Sequence, residues 1–182
     1  MLQIPDMSKA IFCLLLLFTT ATQTNNLIPW SASRKLTWDD FKGSPDPNSS
    51  NAALTSTNIN IEFGYNDNSF KYAIKCNFDK NRSWVRIKNN DVLVHEQGHF
   101  DLAEIYARKL NKVMKGYRFN AKTASTDLNL LYENVMKEHR QVQTRYDQET
   151  DYSRNKPKQE EWLKKIAGDM KGLEEYANYH VQ

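Results

Sequence analysis

Polar and apolar residues alternate along residues 53–65 and again along residues 70–78. The apolar positions of the two stretches are Ile59, Ile61, Phe63, Phe70, Tyr72, Ile74, Cys76 and Phe78. A period of two places such side chains on one face of a β-strand, and the polar residues 66–68 between the stretches are typical of a turn. The pattern therefore predicts a β-hairpin, and residues 83–87 are a candidate for a third short strand.

Beyond residue 90 the apolar residues recur at a helical spacing of about 3.6 residues. We predict a first helix over residues 91–114 with Asp91 as its N-cap, a second over about residues 126–145, and a third that starts near Pro157. The apolar stripes of the second and third helices are Leu128, Leu131, Val135 and Val142, and Trp162, Ile166, Met170, Leu173 and Tyr176. Strands followed by helices predict an α+β fold, in which a small antiparallel sheet precedes three long helices.

The N-terminus has the features of a secretory signal peptide. Lys9 precedes an apolar run over residues 10–18, and small or polar residues follow. The run is about half as long as the roughly 20 residues that span a bilayer. We therefore predict a signal peptide over residues 1–21 and a single mature domain over residues 22–182, secreted or periplasmic, with no stable membrane span.

The charge of the chain is small and mixed in sign. Lysine and arginine number 25 against 22 aspartates and glutamates, which gives a net charge of +3. Because no basic block stands apart, the sequence does not indicate a nucleic-acid partner, and none of these features selects an oligomeric state. Cys76 would be the one cysteine of the mature chain, so we expect a buried thiol and no intrachain disulfide.

The stretch His95-Glu96-Gln97-Gly98-His99 carries two imidazoles four residues apart, with a carboxylate beside the first. Four residues along an α-helix return to nearly the same face, so His95 and His99 can bind one ion. From the neighbouring flank Glu96 can reach a water without occupying a coordination position, as a general base requires. The motif predicts a zinc site with two ligands and a base. The competing interpretation is that these are ordinary helix residues, buried or facing solvent.

Gly98 is an unusual residue inside a predicted helix, where glycine is less favourable than alanine by about 1 kcal/mol. Such a position indicates that another part of the structure approaches the helix closely. We expect an adjacent sheet or a substrate strand at Gly98.

The two histidines leave the predicted zinc site incomplete, because a catalytic zinc takes three protein ligands and keeps a fourth position for water. Glu104 is five residues past His99 and therefore roughly 140° around the helix, which points it away from the ion. Tyr106 returns to the histidine face two turns along, where we interpret it as a core aromatic. The third ligand must come from another part of the chain.

Five separate motifs are spread over nearly the whole of the predicted mature chain. They are Leu36-Thr37-Trp38-Asp39-Asp40-Phe41-Lys42-Gly43, Ser83-Trp84-Val85, His95-Glu96-Gln97-Gly98-His99-Phe100-Asp101, Tyr146-Asp147-Gln148-Glu149-Thr150 and Gln159-Glu160-Glu161-Trp162. In these motifs the chain resembles the DUF922 family, whose members are described as predicted secreted zinc-dependent proteases of bacteria. The resemblance implies a zincin-like domain with His95 and His99 as zinc ligands and Glu96 as the catalytic acid and base.

The chain departs from this family pattern at the position expected for the third ligand. Where the resemblance implies a histidine two residues after a threonine, this sequence has Tyr152. We therefore expect Tyr152 in the third position, with weakened zinc affinity because a phenol has a pKa near 10. Glu149, Asp151 and His139 are alternative third ligands.

The leading hypothesis from the sequence is a secreted zinc metallopeptidase that acts on a peptide or protein. In this hypothesis zinc activates a water for attack on the peptide bond, and Glu96 carries its proton to the leaving amine. The main alternative is a family member with a degenerate site that binds an envelope or secreted component, which Tyr152 favours. Metal binding without turnover and hydrolysis of a non-peptide amide are further alternatives.

Overall fold

The computed structural model describes residues 26–66 and 70–179, so the predicted signal peptide lies outside the described residues. The strands are β1 (Leu27–Pro29), β2 (Ala53–Leu54), β3 (Thr57–Tyr65), β4 (Phe70–Asp79) and β5 (Trp84–Val85), and the helices are α1 (Asn90–Gly116), α2 (Ala124–Thr150) and α3 (Lys156–Gly172). Short 3₁₀ turns are formed by Trp38–Asp40 and Glu174–Tyr176. Strands precede helices along the chain, which confirms the predicted α+β class.

The described strands form two small antiparallel sheets. β3 and β4 pair along their whole lengths as the predicted hairpin, and β1 pairs with the other edge of β4. The predicted third strand is confirmed as β5, but it pairs with β2 in a separate two-stranded sheet. The hairpin supplies the apolar face against which α1 packs, and Ile59, Tyr72, Ile74, Cys76 and Phe78 of this hairpin are all buried. The buried thiol expected for Cys76 is thereby confirmed.

Helix α1 is the central element, with the hairpin on one side and α2 and α3 on the other. Its residues 102–108 are buried at every position, as a helix covered on all sides requires. The prediction of Asp91 as N-cap is wrong, since Asn89 occupies that position and its side chain accepts a hydrogen bond from the Val92 N–H at 2.8 Å. Asn89 lies three residues before Val92, which is the spacing that a capping side chain needs.

A side chain of helix α2 packs directly on α1 at Gly98. A Cβ atom on Gly98 would lie 2.8 Å from Cζ of Tyr146 and would overlap its hydroxyl oxygen. Tyr146 is fully buried, and its ring stacks on His95 with centroids 4.5 Å apart and planes inclined by 15°. The expected close approach at Gly98 is therefore present, but an aromatic ring of α2 makes it in place of a sheet or substrate strand.

Helix α3 completes the packing around Tyr146. Trp162 of α3 places its ring against Tyr146 with centroids 5.3 Å apart, and its indole N–H donates to Glu149 of α2 at 2.8 Å. The predicted apolar stripe of α3 is thus confirmed at its first turns, where Trp162 and Ile166 are buried. Among the described residues, no helix combines the length and apolar character needed to cross a membrane.

The contact at Gly98 leads to a stability prediction. Gly98→Ala should destabilise the protein by about 1–3 kcal/mol, because the added methyl group overlaps Tyr146, and the unfolding temperature should fall by several degrees. The matched control is Gly168→Ala within α3, where an added Cβ would meet nothing within 4 Å. That substitution should raise stability by up to about 1 kcal/mol. Thermal unfolding followed by circular dichroism measures both, and equal or higher stability of Gly98→Ala would contradict the rigid contact.

Candidate metal centre

His95 and His99 lie on successive turns of α1 and face Asp147 on α2. Nε2 of His95 and Nε2 of His99 lie 3.1 Å and 2.9 Å from the same carboxylate oxygen, Oδ1 of Asp147. The two Nε2 atoms are 3.1 Å apart. These three residues form the one group of three or more histidine, cysteine or acidic side chains within the described chain that could hold a metal ion. Three potential ligand atoms therefore converge on a single point.

The ring of His95 is oriented by Gln159 of α3. Nδ1 of His95 lies 2.9 Å from Oε1 of Gln159, and the amide N–H of Gln159 donates to the Tyr146 hydroxyl. That hydroxyl in turn donates to the main-chain carbonyl of His95 at 3.2 Å. Because the amide oxygen can only accept, the proton of a neutral His95 must be on Nδ1, and Nε2 carries the free lone pair.

The ring of His99 is oriented in the same way by Gln143 of α2. Nδ1 of His99 lies 2.6 Å from Oε1 of Gln143, and Nε2 of Gln143 donates to the main-chain carbonyl of His99 at 3.0 Å. The amide oxygen again accepts from Nδ1–H, which leaves Nε2 as the acceptor atom. Metal-binding histidines in proteins are held by hydrogen bonds of this kind on the nitrogen that does not bind the metal.

The arrangement suits a cation, because lone pairs of two imidazoles and one carboxylate face one another at about 3 Å. Without a positive charge between them these atoms would repel. In a tetrahedral zinc site, ligand atoms at 2.0–2.2 Å from the metal are separated by about 3.3 Å, close to the spacing of this cluster. Two histidines and one carboxylate are also a ligand set found in catalytic zinc sites. The residues present therefore fit a zinc ion.

The electrostatics of the cluster show the same need for positive charge. Burial alone would lower the pKa of His99, but the hydrogen bond and charge of Asp147, together with the charge of Glu96, raise the pKa above its usual 6.5. Burial would raise the pKa of Asp147, but the hydrogen bonds from the two histidines hold that pKa well below its usual range. The raised pKa of His99 and the lowered pKa of Asp147 both favour a positive charge beside the carboxylate.

Glu96 is buried next to this cluster. Its residue surface is only 4% exposed, and Oε2 is the one buried side-chain oxygen or nitrogen of the described residues without a hydrogen-bond partner. A buried carboxylate oxygen without a partner is unfavourable, so it needs a water or a substrate group. The main-chain carbonyl of Glu96 accepts a hydrogen bond from Thr55 at 3.3 Å, which ties this turn of α1 to the chain that follows β2.

The cluster and Glu96 line a cavity of about 210 Å³ between the helices and β2. The opposite wall consists of Asn51, Ala52, Ala53, Leu54, Thr55 and Thr57, and Val92, Gln143 and Tyr152 complete the lining. The cavity is therefore bounded by potential ligands on one side and by a strand on the other, with room for a water and part of a substrate.

Tyr152 does not belong to the converging group, although it lines the cavity. It is 42% exposed and lies in a segment of three consecutive left-handed residues, Asp151, Tyr152 and Ser153, that joins α2 to α3. Such backbone conformations are strained for residues other than glycine and often occur beside functional sites. The structure places Asp147, not Tyr152, beside the two histidines, while metal binding by Tyr152 stays a prediction.

The other candidates for the third ligand have different partners. Glu149 accepts the indole N–H of Trp162, and Asp151 forms an ion pair with Arg154 at 2.7 Å. His139 contacts Gln143 and so lies one side chain away from His99. Glu104, which we rejected as a ligand, is buried in an ion pair with Arg108 on another face of α1.

Asp147 lies within the motif over residues 146–150, although the sequence patterns did not lead us to predict it as a ligand. A signal for it exists in the spacing of α2. His139, Gln143 and Asp147 follow one another at four-residue intervals and form a polar column beside the apolar stripe that includes Val142. A polar column next to a buried stripe points into the interface between helices, where a ligand for the histidines must lie.

Comparisons with known proteins identify one family. A family model described as "Bacterial protein of unknown function (DUF922)" matches residues 19–154, well over half of the chain. The match includes the two histidines, Glu96 and Asp147, whereas α3 with Gln159 follows it. Among curated proteins and among solved structures, nothing matches the chain. The family description thus supplies no activity, and the chemistry must be argued from the site.

The cluster predicts opposite pH dependences for the metal-free and zinc-loaded protein. His99 has a raised pKa in the folded state, so its contribution to stability is complete below pH 6.5 and is lost as the pH rises through the folded-state pKa. The metal-free protein should therefore lose stability from pH 6 to pH 8. Zinc requires neutral His99, so stabilisation by zinc should increase over the same range.

Thermal unfolding with a chelator and with excess zinc at each pH tests this prediction. Asp147→Asn should flatten the decline of the metal-free protein, because it removes the hydrogen bond and the charge that raise the pKa of His99. An unchanged decline in this variant would show that other groups cause the pH dependence.

Proposed function

The chain belongs to the DUF922 family, and from this membership and the convergence of His95, His99 and Asp147 we propose that it is an exported zinc-dependent peptidase. The observation that carries the proposal is the partnerless buried carboxylate oxygen of Glu96 beside three convergent ligand atoms. A site that only stored metal would have no need for such a base. Export rests on the predicted signal peptide.

The proposed zinc ligands are Nε2 of His95, Nε2 of His99 and a carboxylate oxygen of Asp147. When bound, zinc supplies a Lewis acid that polarises a carbonyl and lowers the pKa of water towards about 7. Gln159 and Gln143 hold the two imidazoles with their lone pairs toward the ion, so little reorganisation accompanies binding. Asp147 contributes the negative charge that compensates part of the ion's charge in a largely buried site.

Glu96 is the proposed general base and general acid. Its carboxylate faces a confined cavity and has an oxygen free to accept a proton from water. The same proton can then pass to the nitrogen of the scissile amide as the amine leaves. Proton transfer by a positioned side chain contributes about 10²–10⁴-fold to the rate of such reactions.

The wall formed by β2 supports a peptide as the substrate class. The Arg86 N–H donates to the Ala52 carbonyl at 2.7 Å, and Ala53 lies opposite Val85 in the antiparallel register. Hydrogen-bonded and non-hydrogen-bonded pairs alternate along an antiparallel ladder. Because Ala52 and Arg86 form a hydrogen-bonded pair, Ala53 and Val85 form a non-hydrogen-bonded pair, and the main-chain N–H and C=O of Ala53 point away from β5. Ala53 lines the cavity, so this edge can pair with an extended peptide by strand addition.

The degenerate-site alternative depended on Tyr152 in place of a histidine. Three potential ligand atoms converge without this tyrosine. The presence of Tyr152 in place of a histidine therefore no longer favours an inactive protein over an enzyme. If the protein binds zinc but cleaves no substrate, that result would support the alternative hypothesis, in which it binds an envelope component without turnover.

The ligand assignment predicts that Asp147→Asn weakens zinc binding by at least about 100-fold, more than the loss of an outer hydrogen bond would. Tyr152→Phe should leave the affinity unchanged. Zinc bound per chain, measured by elemental mass spectrometry on untagged protein, and competition with a chromophoric chelator give the two values. A large loss in Tyr152→Phe with none in Asp147→Asn would return the third position to the tyrosine.

The catalytic assignment predicts that Glu96→Gln reduces cleavage of an unfolded protein substrate at least about 100-fold while zinc content stays at the wild-type level. Fluorescently labelled casein is a suitable first substrate, and mass spectrometry of the products identifies the cleaved bonds. Glu149→Gln, which changes a carboxylate outside the cavity in the same way, is the matched control and should retain activity. Equal cleavage by the wild type and Glu96→Gln would contradict the role of Glu96.

A further inference from the structure

We propose that a second cavity beside the metal centre is a substrate subsite, which takes an apolar side chain of the bound peptide next to the bond that is cleaved. The inference rests on the proposed peptidase function and deepens it, because it names the kind of side chain that the enzyme prefers. The second cavity has a volume of about 390 Å³. Pockets that bind small ligands have volumes of about 300–1,000 Å³, so a leucine or phenylalanine side chain has room there.

The second cavity adjoins the cavity of the metal centre. The two linings have four residues in common, Asn51, Ala52, Val92 and Tyr152. Residues 51–55 line the metal cavity and residues 50–52 line the second one, so one continuous stretch of chain runs past both. Residues of an extended peptide are about 3.4 Å apart. A peptide that pairs with the free edge at Ala53 therefore reaches the second cavity within a few residues of the metal centre.

The two basic side chains at the second cavity each have an acidic partner. Arg154 donates two hydrogen bonds of 2.7 Å and 3.0 Å to Asp151, and Nζ of Lys156 lies 2.9 Å from the carboxylate of Asp91. Each positive charge is therefore balanced by a negative charge next to it. A charged substrate side chain would find no unpaired opposite charge in this cavity and would lose part of its hydration. The ion pairs thus favour an uncharged side chain.

Large apolar side chains in the lining are left open to solvent. Ile87 is 56% exposed and Tyr152 is 42% exposed, and both line the second cavity. Leu54 is a further exposed apolar residue, and it lines the adjoining metal cavity. Removal of apolar surface from water is favourable, so a substrate side chain that covers Ile87 and the Tyr152 ring stabilises the complex. An apolar side chain therefore suits this cavity best.

Tyr152 is held in place at the boundary between the two cavities. Its main-chain N–H donates to the carbonyl of Asp147 at 2.9 Å, which ties the tyrosine to the helix that carries the proposed ligand. The guanidinium of Arg154 lies 5.8 Å from the centre of the Tyr152 ring, and its two hydrogen bonds to Asp151 fix that guanidinium. A wall that is already ordered loses little entropy when a side chain packs on it. The tyrosine thus forms a wall of the subsite.

The first test introduces a charge at Ile87. Ile87→Lys should lower kcat/KM for peptides with leucine at the selected position at least about 10-fold and raise it for peptides with glutamate there, and Ile87→Glu should favour lysine instead. Leu130→Lys, at an exposed residue that lines neither cavity, is the matched control and should keep the wild-type profile. Mass spectrometry of the products from a peptide library gives each profile. No apolar preference beside the cleaved bond in the wild type, or a profile that neither Ile87 variant changes, would overturn the proposal.

The second test separates the ring of Tyr152 from its hydroxyl. Tyr152→Ala removes the wall and should lower kcat/KM for leucine peptides at least about 10-fold, whereas Tyr152→Phe keeps the ring and should stay within about threefold of the wild type. Tyr65→Ala is the matched control, because Tyr65 is 43% exposed and lines neither cavity. Equal losses in Tyr152→Ala and Tyr152→Phe would overturn the proposed wall, because the hydroxyl and not the ring would then be required.

The third readout needs no turnover. In Glu96→Gln protein with zinc added, the NMR signal of the Ile87 δ1-methyl group, assigned by its loss in Ile87→Val, should shift when a blocked alanine peptide with one leucine is added. The same peptide with glutamate in place of leucine should need at least about a 10-fold higher concentration. An equal response to both peptides, or a response to neither, would overturn the subsite. If the wild type cleaves no peptide but Ile87 responds to the leucine peptide, the proposed function fails and the subsite stands.

Discussion

The close contact between Gly98 of α1 and Tyr146 of α2 is the constraint on which the site depends. Only a residue without a side chain lets the phenol ring pack directly on this turn of α1. Asp147 follows Tyr146 in sequence, so the contact also sets the distance between the carboxylate and the two imidazoles. Glycine has a low propensity for the interior of a helix. The contact with Tyr146 explains why Gly98 nevertheless stands between the two histidines.

The same tyrosine connects the packing of the helices to the orientation of His95. The ring of Tyr146 stacks on His95. Its hydroxyl accepts a hydrogen bond from the side-chain amide of Gln159 and donates one to the main-chain carbonyl of His95. Burial, opposed by the Gln159 hydrogen bond and aided by the nearby acidic charges, raises the pKa of Tyr146 far above 10, so the hydroxyl remains a donor. The Tyr146 hydroxyl and Gln159 thus orient His95, and the side-chain amide of Gln143 orients His99.

Local patterns predicted the fold well. Alternation and helical periodicity depend on neighbouring residues, so the hairpin, three helices and the stripe with Trp162 and Ile166 could be read from the sequence. The cap of α1 was displaced by two residues because Asp91 and Asn89 are both good caps, and only the hydrogen bond to Val92 distinguishes them. The pairing of β5 with β2 could not be predicted, since both strands have only two residues.

The site was predictable only where it is local. His95, Glu96 and His99 share one helix, so their spacing was informative. Asp147 lies 52 residues from His95, and its place beside the histidines depends on how α2 docks on α1. The four-residue spacing of the polar column on α2 indicates which side of that helix faces the interface, but not which residue of α1 it meets. The departure at Tyr152 drew attention to the turn after α2, whereas the carboxylate that converges with the histidines lies within α2. A family pattern describes positions in the sequence and not the direction of side chains.

The contact between Gln159 and His95 determines at which stage of folding the arrangement can form. This contact closes a loop of 64 residues, longer than the separation between His95 and Asp147. Bringing together groups so distant in sequence requires most of the tertiary structure, so no fragment that ends before α3 contains the whole arrangement. A chain that is still being synthesised, or one that is unfolded, therefore has the motif but not the convergence of His95, His99 and Asp147, and the arrangement forms only with the completed fold.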